Sequence, residues 1–175
     1  MNDLFLKAAT KQFTQYKQLA EKAFLQLTDS QLFMAVNEES NPVVVIVKHM
    51  WGNMLSRWTD FLTTDGEKDW RERDAEFEND LVTREEMMQK WEEGWSCLFG
   101  ALQSLDTQDL GRTVTIRSQH LTVTDAIVRQ LTHYAYHVGQ IVYIAKMFTN
   151  DHWKSLSIPR GGSAAYLAEM QKESK

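Results

Sequence analysis

Two histidines carry the clearest chemical signal in this sequence. His133 and His137 are four residues apart inside a segment with helical periodicity, so their side chains project from one face of a helix, about one turn apart. That spacing allows two imidazoles to reach one metal ion. The pair therefore predicts part of a metal site.

A third ligand must come from another segment. His49 is the one other histidine in the interior of a predicted helix, and a helical bundle can bring it opposite the pair. Three neutral imidazoles leave a coordination position open for water, which is typical of catalytic rather than structural zinc. Because imidazole binds several metals, we expect zinc or nickel first, with iron and manganese as alternatives.

The same histidines admit a second interpretation, because pairs at this spacing also occur on helices that bind no metal. On a helical wheel, His133, His137 and Gln140 form a strip beside the apolar face, and His49 shares a face with Asn53. These side chains therefore face solvent or line a cleft. Residues 42–47 are apolar on all sides, which favours a buried helix start and hence the cleft.

The other face of the His49 helix carries its own apolar stripe. If the histidines line a cleft, this stripe needs a different cover, and a partner subunit would supply it. We therefore predict a homodimer whose interface includes Met50, Met54 and Trp58.

The composition excludes several classes of protein. The chain has 175 residues with 43% hydrophobic content, enough for one domain with a sizeable core. Its net charge of -5 argues against nucleic acid as a partner. The single cysteine, Cys97, excludes an intrachain disulfide and a cysteine-based zinc ribbon. No segment reads as a membrane span, and charges near the N-terminus argue against a signal peptide, so we expect a cytoplasmic protein.

Four amphipathic segments must position these residues, at about 3–27, 42–62, 84–105 and 123–148. The last three begin at helix start signals, namely Asn41-Pro42, Thr83 with Glu86, and Thr122 with Asp125. We predict an all-α four-helix bundle forming a single domain over residues 1–175, in which 171–175 fray. A short hairpin could pair residues 113–116 with 121–123.

The connection between the second and third predicted helices is long. It spans residues 63–82, far more than the few residues that join antiparallel neighbours, so it must cross over the bundle. Its eight acidic and three basic side chains give it the same net charge as the whole chain. We expect its aromatic side chains to pack on the bundle while its other side is solvated, away from the histidines. These aromatic residues, in or beside the connection, are Phe61, Trp70 and Phe77.

Three segments together resemble the DinB/YfiT-like superfamily of metal-dependent proteins: KHMWGNMLSRW at 48–58, LTHYAYHVGQIVYIAK at 131–146 and LSIPRGGSAAY at 156–166. The resemblance covers nearly the whole chain. It implies a four-helix bundle with a long crossover between helices 2 and 3, a homodimer, and a divalent metal held by His49, His133 and His137. Gln140 stands at the superfamily's Gly-Gln position, which implies contact with a ligand or a bound water, and Asn53 is a further candidate to line the site.

Members of this superfamily with known activity include thiol transferases that use bacillithiol, glutathione or mycothiol, and a mycothiol-dependent maleylpyruvate isomerase. The resemblance therefore implies a metal-dependent enzyme that transfers a small thiol to an electrophilic substrate or hydrolyses a small molecule. The alternative is a non-catalytic metal-binding or stress-response module, because the sequence identifies no separate general acid or base near the histidines. The residues do not choose the substrate, the thiol or the metal.

Overall fold

The computed structural model describes residues 4–173, and these residues are mostly helical. The elements in chain order are α1 (Leu4–Phe24), α2 (Asp29–Phe33), α3 (Val43–Trp58), α4 (Arg84–Ser104), β1 (Thr113–Ile116), β2 (Gln119–Thr122), α5 (Val123–Thr149) and α6 (Ser163–Glu173). The predicted helix start at Asp3 and residues 174 and 175 of the predicted frayed end lie outside the described residues.

The four long helices α1, α3, α4 and α5 form a bundle, in agreement with the predicted all-α fold. Helix α3 packs mainly against α4, and α1 packs mainly against α5. Each helix contributes one aromatic side chain to the centre of the core. The ring centroid of Phe13 lies 6.1 Å from that of Trp58, 6.4 Å from Trp95 and 6.0 Å from Tyr134. All four side chains are buried, so this cluster joins the bundle into one core.

Capping boxes start three of the helices. Thr83 Oγ1 accepts a hydrogen bond from the Glu86 backbone at 3.1 Å, and Thr122 Oγ1 accepts one from Asp125 at 3.0 Å, so both predicted boxes are confirmed. The short helix α2 was not predicted, although Thr28 and Gln31 form the same motif at its start. This capping box could therefore have predicted the start of α2 from the sequence alone.

Two predicted helix ends differ from the structure. The first helix was expected to reach residue 27 but ends at Phe24. The second was expected to span 42–62 with Asn41 as its cap, but it ends at Trp58, and Pro42 is the capping residue with no side-chain bond. Asp60 leaves the helical path with φ of 48°, so the chain turns before the predicted end at residue 62.

The predicted hairpin forms with a slightly different register. Strand β1 pairs antiparallel with β2, and Thr113 lies opposite Thr122. The turn residues Arg117 and Ser118 have φ of 53° and 60°. Two consecutive residues with positive φ are typical of the tight two-residue turns that match strand twist. Asp65, from the long connection, holds this turn: its carboxylate accepts backbone hydrogen bonds from Arg117 at 2.8 Å and from Ser118 at 2.9 Å.

The apolar stripe assigned to a partner subunit is covered within the chain. Met50, Met54 and Trp58 are at most 2% exposed within the chain, because α3 packs mainly against α4 and Trp58 contacts Phe13 of α1 and Tyr134 of α5. Gly94 of α4 permits the close approach, since a Cβ atom there would lie 3.0 Å from Met54 Sδ and 3.2 Å from the Trp51 backbone. The expected interface at this face is therefore wrong, and the homodimer itself stays a prediction without this support.

The long connection is anchored by charge more than by its aromatic residues. Trp70 is 56% exposed, contrary to the expected packing, whereas Phe61 is buried and Phe77, although 42% exposed, stacks on His49 of α3 with the two ring centroids 4.9 Å apart. In contrast, the side chains of Arg71 and Glu76 are 2% and 5% exposed. Part of this acidic segment therefore enters the bundle.

Among residues 4–173, no helix combines the length and the apolar character that crossing a lipid bilayer requires.

Candidate metal centre

The structure brings the three histidines together between α3 and α5. One ligand nitrogen from each of His49, His133 and His137 lies within 4.8 Å of the other two, and no other such cluster of three candidate ligands occurs in the described part of the chain. The Nε2 atoms of His133 and His137 are 3.1 Å apart. His49 is 6% exposed, and the other two are half-buried. The structure thus places His133 and His137 side by side, as their spacing predicts, and the bundle brings His49 close to both.

A buried ion pair orients His49. Its Nδ1 lies 2.9 Å from Glu76 Oε2, so Nδ1 donates to this carboxylate and Nε2 keeps its lone pair for another partner. Glu76 in turn accepts two hydrogen bonds from Arg71, from Nε at 2.6 Å and from Nη2 at 2.9 Å. Burial acts to raise the pKa of Glu76, but the bonds from His49 and Arg71 hold that pKa below its ordinary value.

Glu76 is the main residue of the site that the sequence did not identify. It belongs to the acidic connection that was expected to lie away from the histidines, and it contacts His49 directly. One signal was present: Gly52 lies in mid-helix, three residues after His49 and on the same face. A methyl group at Gly52 would collide with Glu76 Oε1, so this glycine makes room for the carboxylate.

Gln140 orients a second histidine. Its Oε1 accepts a hydrogen bond from His137 Nδ1 at 2.8 Å, and its Nε2 donates to Tyr136 at 3.1 Å. The Nε2 atom of His137 is thereby left as the acceptor. His133 differs, because its Nδ1 atom is buried and has no hydrogen-bond partner among the described residues.

Asn53 does not contact the histidines through any hydrogen bond that the described residues show. Its Oδ1 accepts from Gln130 Nε2 at 2.6 Å and from the Tyr134 hydroxyl at 3.0 Å. Tyr134 also accepts from Trp58 Nε1 at 3.1 Å. Asn53 therefore belongs to a buried network between α3 and α5, beside the site.

The protonation states suit metal binding. Burial, reinforced by the charges of the other two histidines, lowers the pKa of His133 to about 3. Burial and the charge of His49 lower the pKa of His137 to about 4, although the bond to Gln140 acts in the opposite direction. Both imidazoles are therefore neutral at pH 7, which is the form that binds metals. The converging, neutral nitrogens fit a divalent cation.

A model of the family described as "Protein of unknown function (DUF1572)" matches residues 1–162. The chain belongs to this DUF1572 family. The family is part of the DinB/YfiT-like clan, which is the superfamily that the sequence motifs resemble. The match ends just before α6, and it includes all three histidines. The chain has no significant match to a curated protein or to a solved structure.

In this DUF1572 chain, a cavity of about 580 Å³ adjoins the histidines on the His137 side. Aromatic and aliphatic side chains form much of its lining, and a polar loop contributes the rest. His49, His137 and Gln140 also line it. The apolar lining includes Phe77, Tyr136, Tyr143, Ile144 and Met147, and the loop supplies Asn37, Glu39, Ser40 and Asn41.

A smaller cavity of about 150 Å³ adjoins the histidines on the His133 side. His49 lines both cavities, so the three-histidine cluster lies between them. Asn53 and Gln130 form part of the smaller cavity, and the remaining lining residues are all arginines: Arg57, Arg71, Arg73, Arg117 and Arg129. No local sequence pattern predicts this group, because its members come from separate segments.

Proposed function

We propose that this protein is a metal-dependent enzyme that transfers a small thiol to an electrophilic substrate. His49, His133 and His137 are the proposed ligands of a divalent metal, with zinc or nickel as the best candidates. The observation that carries the proposal is the convergence of three imidazoles within 4.8 Å beside a cavity large enough for a small molecule.

The surroundings of the histidines support ligand roles. Glu76 and Gln140 each engage an Nδ1 atom, so the Nε2 atoms of His49 and His137 are free to bind a metal. Carboxylate and amide partners of this kind fix the ring orientation and strengthen the ligand. The residues therefore form more than a chance cluster of imidazoles.

An enzymatic role is supported by the coordination position that three protein ligands leave open on a metal. Three protein ligands are one fewer than the four that a structural zinc site requires. A divalent metal held there would act as a Lewis acid and lower the pKa of a bound thiol or water. The cavity on the His137 side, with Tyr136 and Tyr143 in its wall, provides room for an electrophile with an apolar body.

Metal content is the first test. We expect about one divalent metal per chain after expression with added zinc or nickel, and loss of that metal in His133→Ala. His152→Ala is the matched control, because His152 is exposed and lies outside the cluster. Elemental analysis of the folded proteins measures the result. Wild-type protein that holds no metal after such expression would refute the proposal.

Turnover is the second test. Metal-loaded protein is assayed with a panel of low-molecular-weight thiols and a chromogenic electrophile, in parallel with hydrolysable esters and amides. We expect thiol transfer that is lost in His49→Ala and kept in His152→Ala. Ester or amide cleavage without thiol transfer would favour the hydrolase instead. Stoichiometric metal without any turnover would favour a non-catalytic metal-binding module.

A further inference from the structure

The cavity on the His133 side has an unusual lining. Five arginines from α3, the long connection, the hairpin turn and α5 converge on a space of about 150 Å³, and no carboxylate of residues 4–173 lines it. The chain as a whole carries a net charge of -5, so this concentration of positive charge is local. We call these five residues the arginine cluster.

Nearby acidic groups neutralise only part of the arginine cluster. Glu67 bonds Arg117 Nε at 2.7 Å and Arg57 Nη2 at 3.1 Å, and its other oxygen lies 3.5 Å from Arg71 Nη1. The second carboxylate belongs to Glu76, which forms an ion pair with Arg71. Five guanidinium groups thus face these two carboxylates and the nearby charge of Asp65, which acts on Arg57. The excess of positive charge requires an anion or water to offset it.

The cluster keeps unused hydrogen-bond donors. Arg57 Nε is buried and has no hydrogen-bond partner within the part of the chain that the structure describes, and buried Arg71 Nη1 makes no hydrogen bond there, since Glu67 Oε1 lies 3.5 Å away. Arg73 and Arg129 have exposed side chains, and no ion pair or hydrogen bond of these side chains occurs among residues 4–173. Burying a guanidinium N–H without a good acceptor costs free energy, so an acceptor on a bound ligand would stabilise the arginine cluster.

The arginines of the cluster repel one another, and a bound anion would reduce this repulsion. Burial lowers the pKa of Arg57, and the neighbouring charge of Arg71 lowers it further. Glu67 acts in the opposite direction without cancelling these effects. Like charges are therefore held close together in a partly dry space, where a bound anion would stabilise them strongly.

We infer that the arginine cluster is a binding site for a dianionic phosphate group. Guanidinium groups match the geometry of phosphate oxygens, and the net positive charge favours a dianion over a singly charged carboxylate. The small volume admits a phosphate group and excludes a polynucleotide. Since His133 and His49 line the same cavity, the phosphate belongs to a small molecule whose other end lies at the histidines. That last step rests on the proposed function, whereas the anion site itself does not.

Calorimetric titration of metal-free protein tests the site. Inorganic phosphate and acetate are compared at constant ionic strength and at a pH where phosphate is mostly a dianion. We expect saturable phosphate binding, tighter than acetate binding by about tenfold or more, which corresponds to about 1.4 kcal/mol. Acetate binding as tightly as phosphate, or phosphate binding that does not saturate, would overturn the assignment.

Two variants and one control localise the binding. Arg129→Gln and Arg73→Gln remove exposed side chains, so both proteins should fold, which circular dichroism checks. We expect each to weaken phosphate binding by about tenfold, since each removes a charged donor. Arg160→Gln removes an exposed arginine outside the cavity and should leave binding unchanged. Equal phosphate affinity in wild type and both cavity variants would place the anion elsewhere and refute the inference.

Metal content separates this inference from the proposed function. Arg129→Gln should keep the metal of the wild type, because Arg129 contacts none of the histidines through a hydrogen bond or ion pair among the described residues. Phosphate binding by a protein that never holds metal would support the arginine cluster while refuting the metal-dependent enzyme. Stoichiometric metal without phosphate binding would do the reverse.

Discussion

The two cavities beside the histidines differ in nearly every property, although the same two helices form both. The C-terminal half of α3 and the N-terminal half of α5 face the smaller cavity with Arg57 and Arg129, whereas Ile46 and Tyr143 line the larger one from the opposite halves. The antiparallel arrangement of α3 and α5 thus separates a surface rich in arginine from one that mixes aromatic, aliphatic and polar side chains. The histidines lie at the point where the two surfaces meet.

The two sides also differ in how firmly their residues are held. On the small side, Glu67 ties together arginines from α3, the connection and the hairpin turn, and Asp65 fixes that turn through backbone hydrogen bonds. On the large side, Tyr136 and Tyr143 are 62% and 68% exposed. Ion pairs therefore hold three of the five arginines on the small side, whereas two tyrosines of the large side are mostly exposed, and the following substitutions test this difference.

Glu76→Ala should have the largest effect, because Glu76 connects the two sides through Arg71 and His49. Its removal leaves a buried guanidinium and a buried imidazole without their partner, which should cost about 3–5 kcal/mol in the free energy of unfolding. Metal affinity should fall by about 10–100-fold, since Glu76 orients a proposed ligand. Urea unfolding and metal competition measure both effects.

The control for this variant is Glu78→Ala, which removes an exposed carboxylate two residues away in the same connection. We expect a change in unfolding free energy within about 0.5 kcal/mol. If both alanine variants lose the same stability, the buried ion pair contributes nothing specific.

Gly52→Ala should have the second largest effect. The added methyl group would collide with Glu76 Oε1 and displace the carboxylate from His49. Overpacking of this kind costs about 1–3 kcal/mol in stability. Gly100→Ala in α4 is the matched control, because no atom lies within 4 Å of a Cβ added there. That control should be stabilised by about 0.5–1 kcal/mol, since alanine favours helix, so thermal melts of the two variants should move in opposite directions.

Asp65→Ala should loosen the charged side alone. The variant loses the acceptor that holds the backbone of Arg117 and Ser118, so we expect a loss of about 1–2 kcal/mol and weaker phosphate binding. Metal content should not change. Asp69→Ala removes an exposed carboxylate of the same connection and serves as the control. Unchanged stability in Asp65→Ala would show that the turn does not depend on this side chain.

The contribution of Asp65 should also depend on pH in a defined direction. Burial acts to raise its pKa, but backbone bonds from Glu67, Ser118 and Arg117 hold the pKa below its ordinary value. The added stability is therefore fully present above about pH 4, the ordinary pKa of Asp, and disappears as the pH falls through the lower folded value. Urea unfolding of wild type and Asp65→Ala should differ at neutral pH and converge in strong acid.

Tyr143→Ala should have the smallest effect on stability. Its side chain is largely exposed, so the unfolding free energy should change by less than about 0.5 kcal/mol, and metal and phosphate binding should stay as in the wild type. If the large cavity binds the electrophile, KM should rise while the histidine site is unaffected. A KM equal to that of the wild type would exclude Tyr143 from substrate contact.

Local signals explain what the sequence could predict. The starts of α4 and α5 follow from capping boxes, which involve residues three positions apart, and the histidine pair follows from helical geometry within α5. The end of α3 could not be predicted in this way, because the positive φ of Asp60 depends on how the connection leaves the bundle.

The residues around the histidines depend on long-range contacts. Glu76 reaches His49 across 27 positions in sequence, and its acidic neighbours suggested a solvated segment. The arginine cluster is assembled from separate parts of the chain, and the overall negative charge conceals it. Only Gly52, in the middle of a helix and one turn after His49, indicated that another side chain packs closely against this part of the helix.

Arg71 has a consequence for how the two sites respond to their ligands. Its guanidinium lines the phosphate cavity and also donates twice to the carboxylate that holds His49, so it cannot shift toward an anion without altering that carboxylate. We therefore expect metal and phosphate binding at the two proposed sites to be thermodynamically linked. By reciprocity, the factor by which phosphate changes metal affinity must equal the factor by which metal changes phosphate affinity, so titrating either ligand in the presence of the other measures the same coupling.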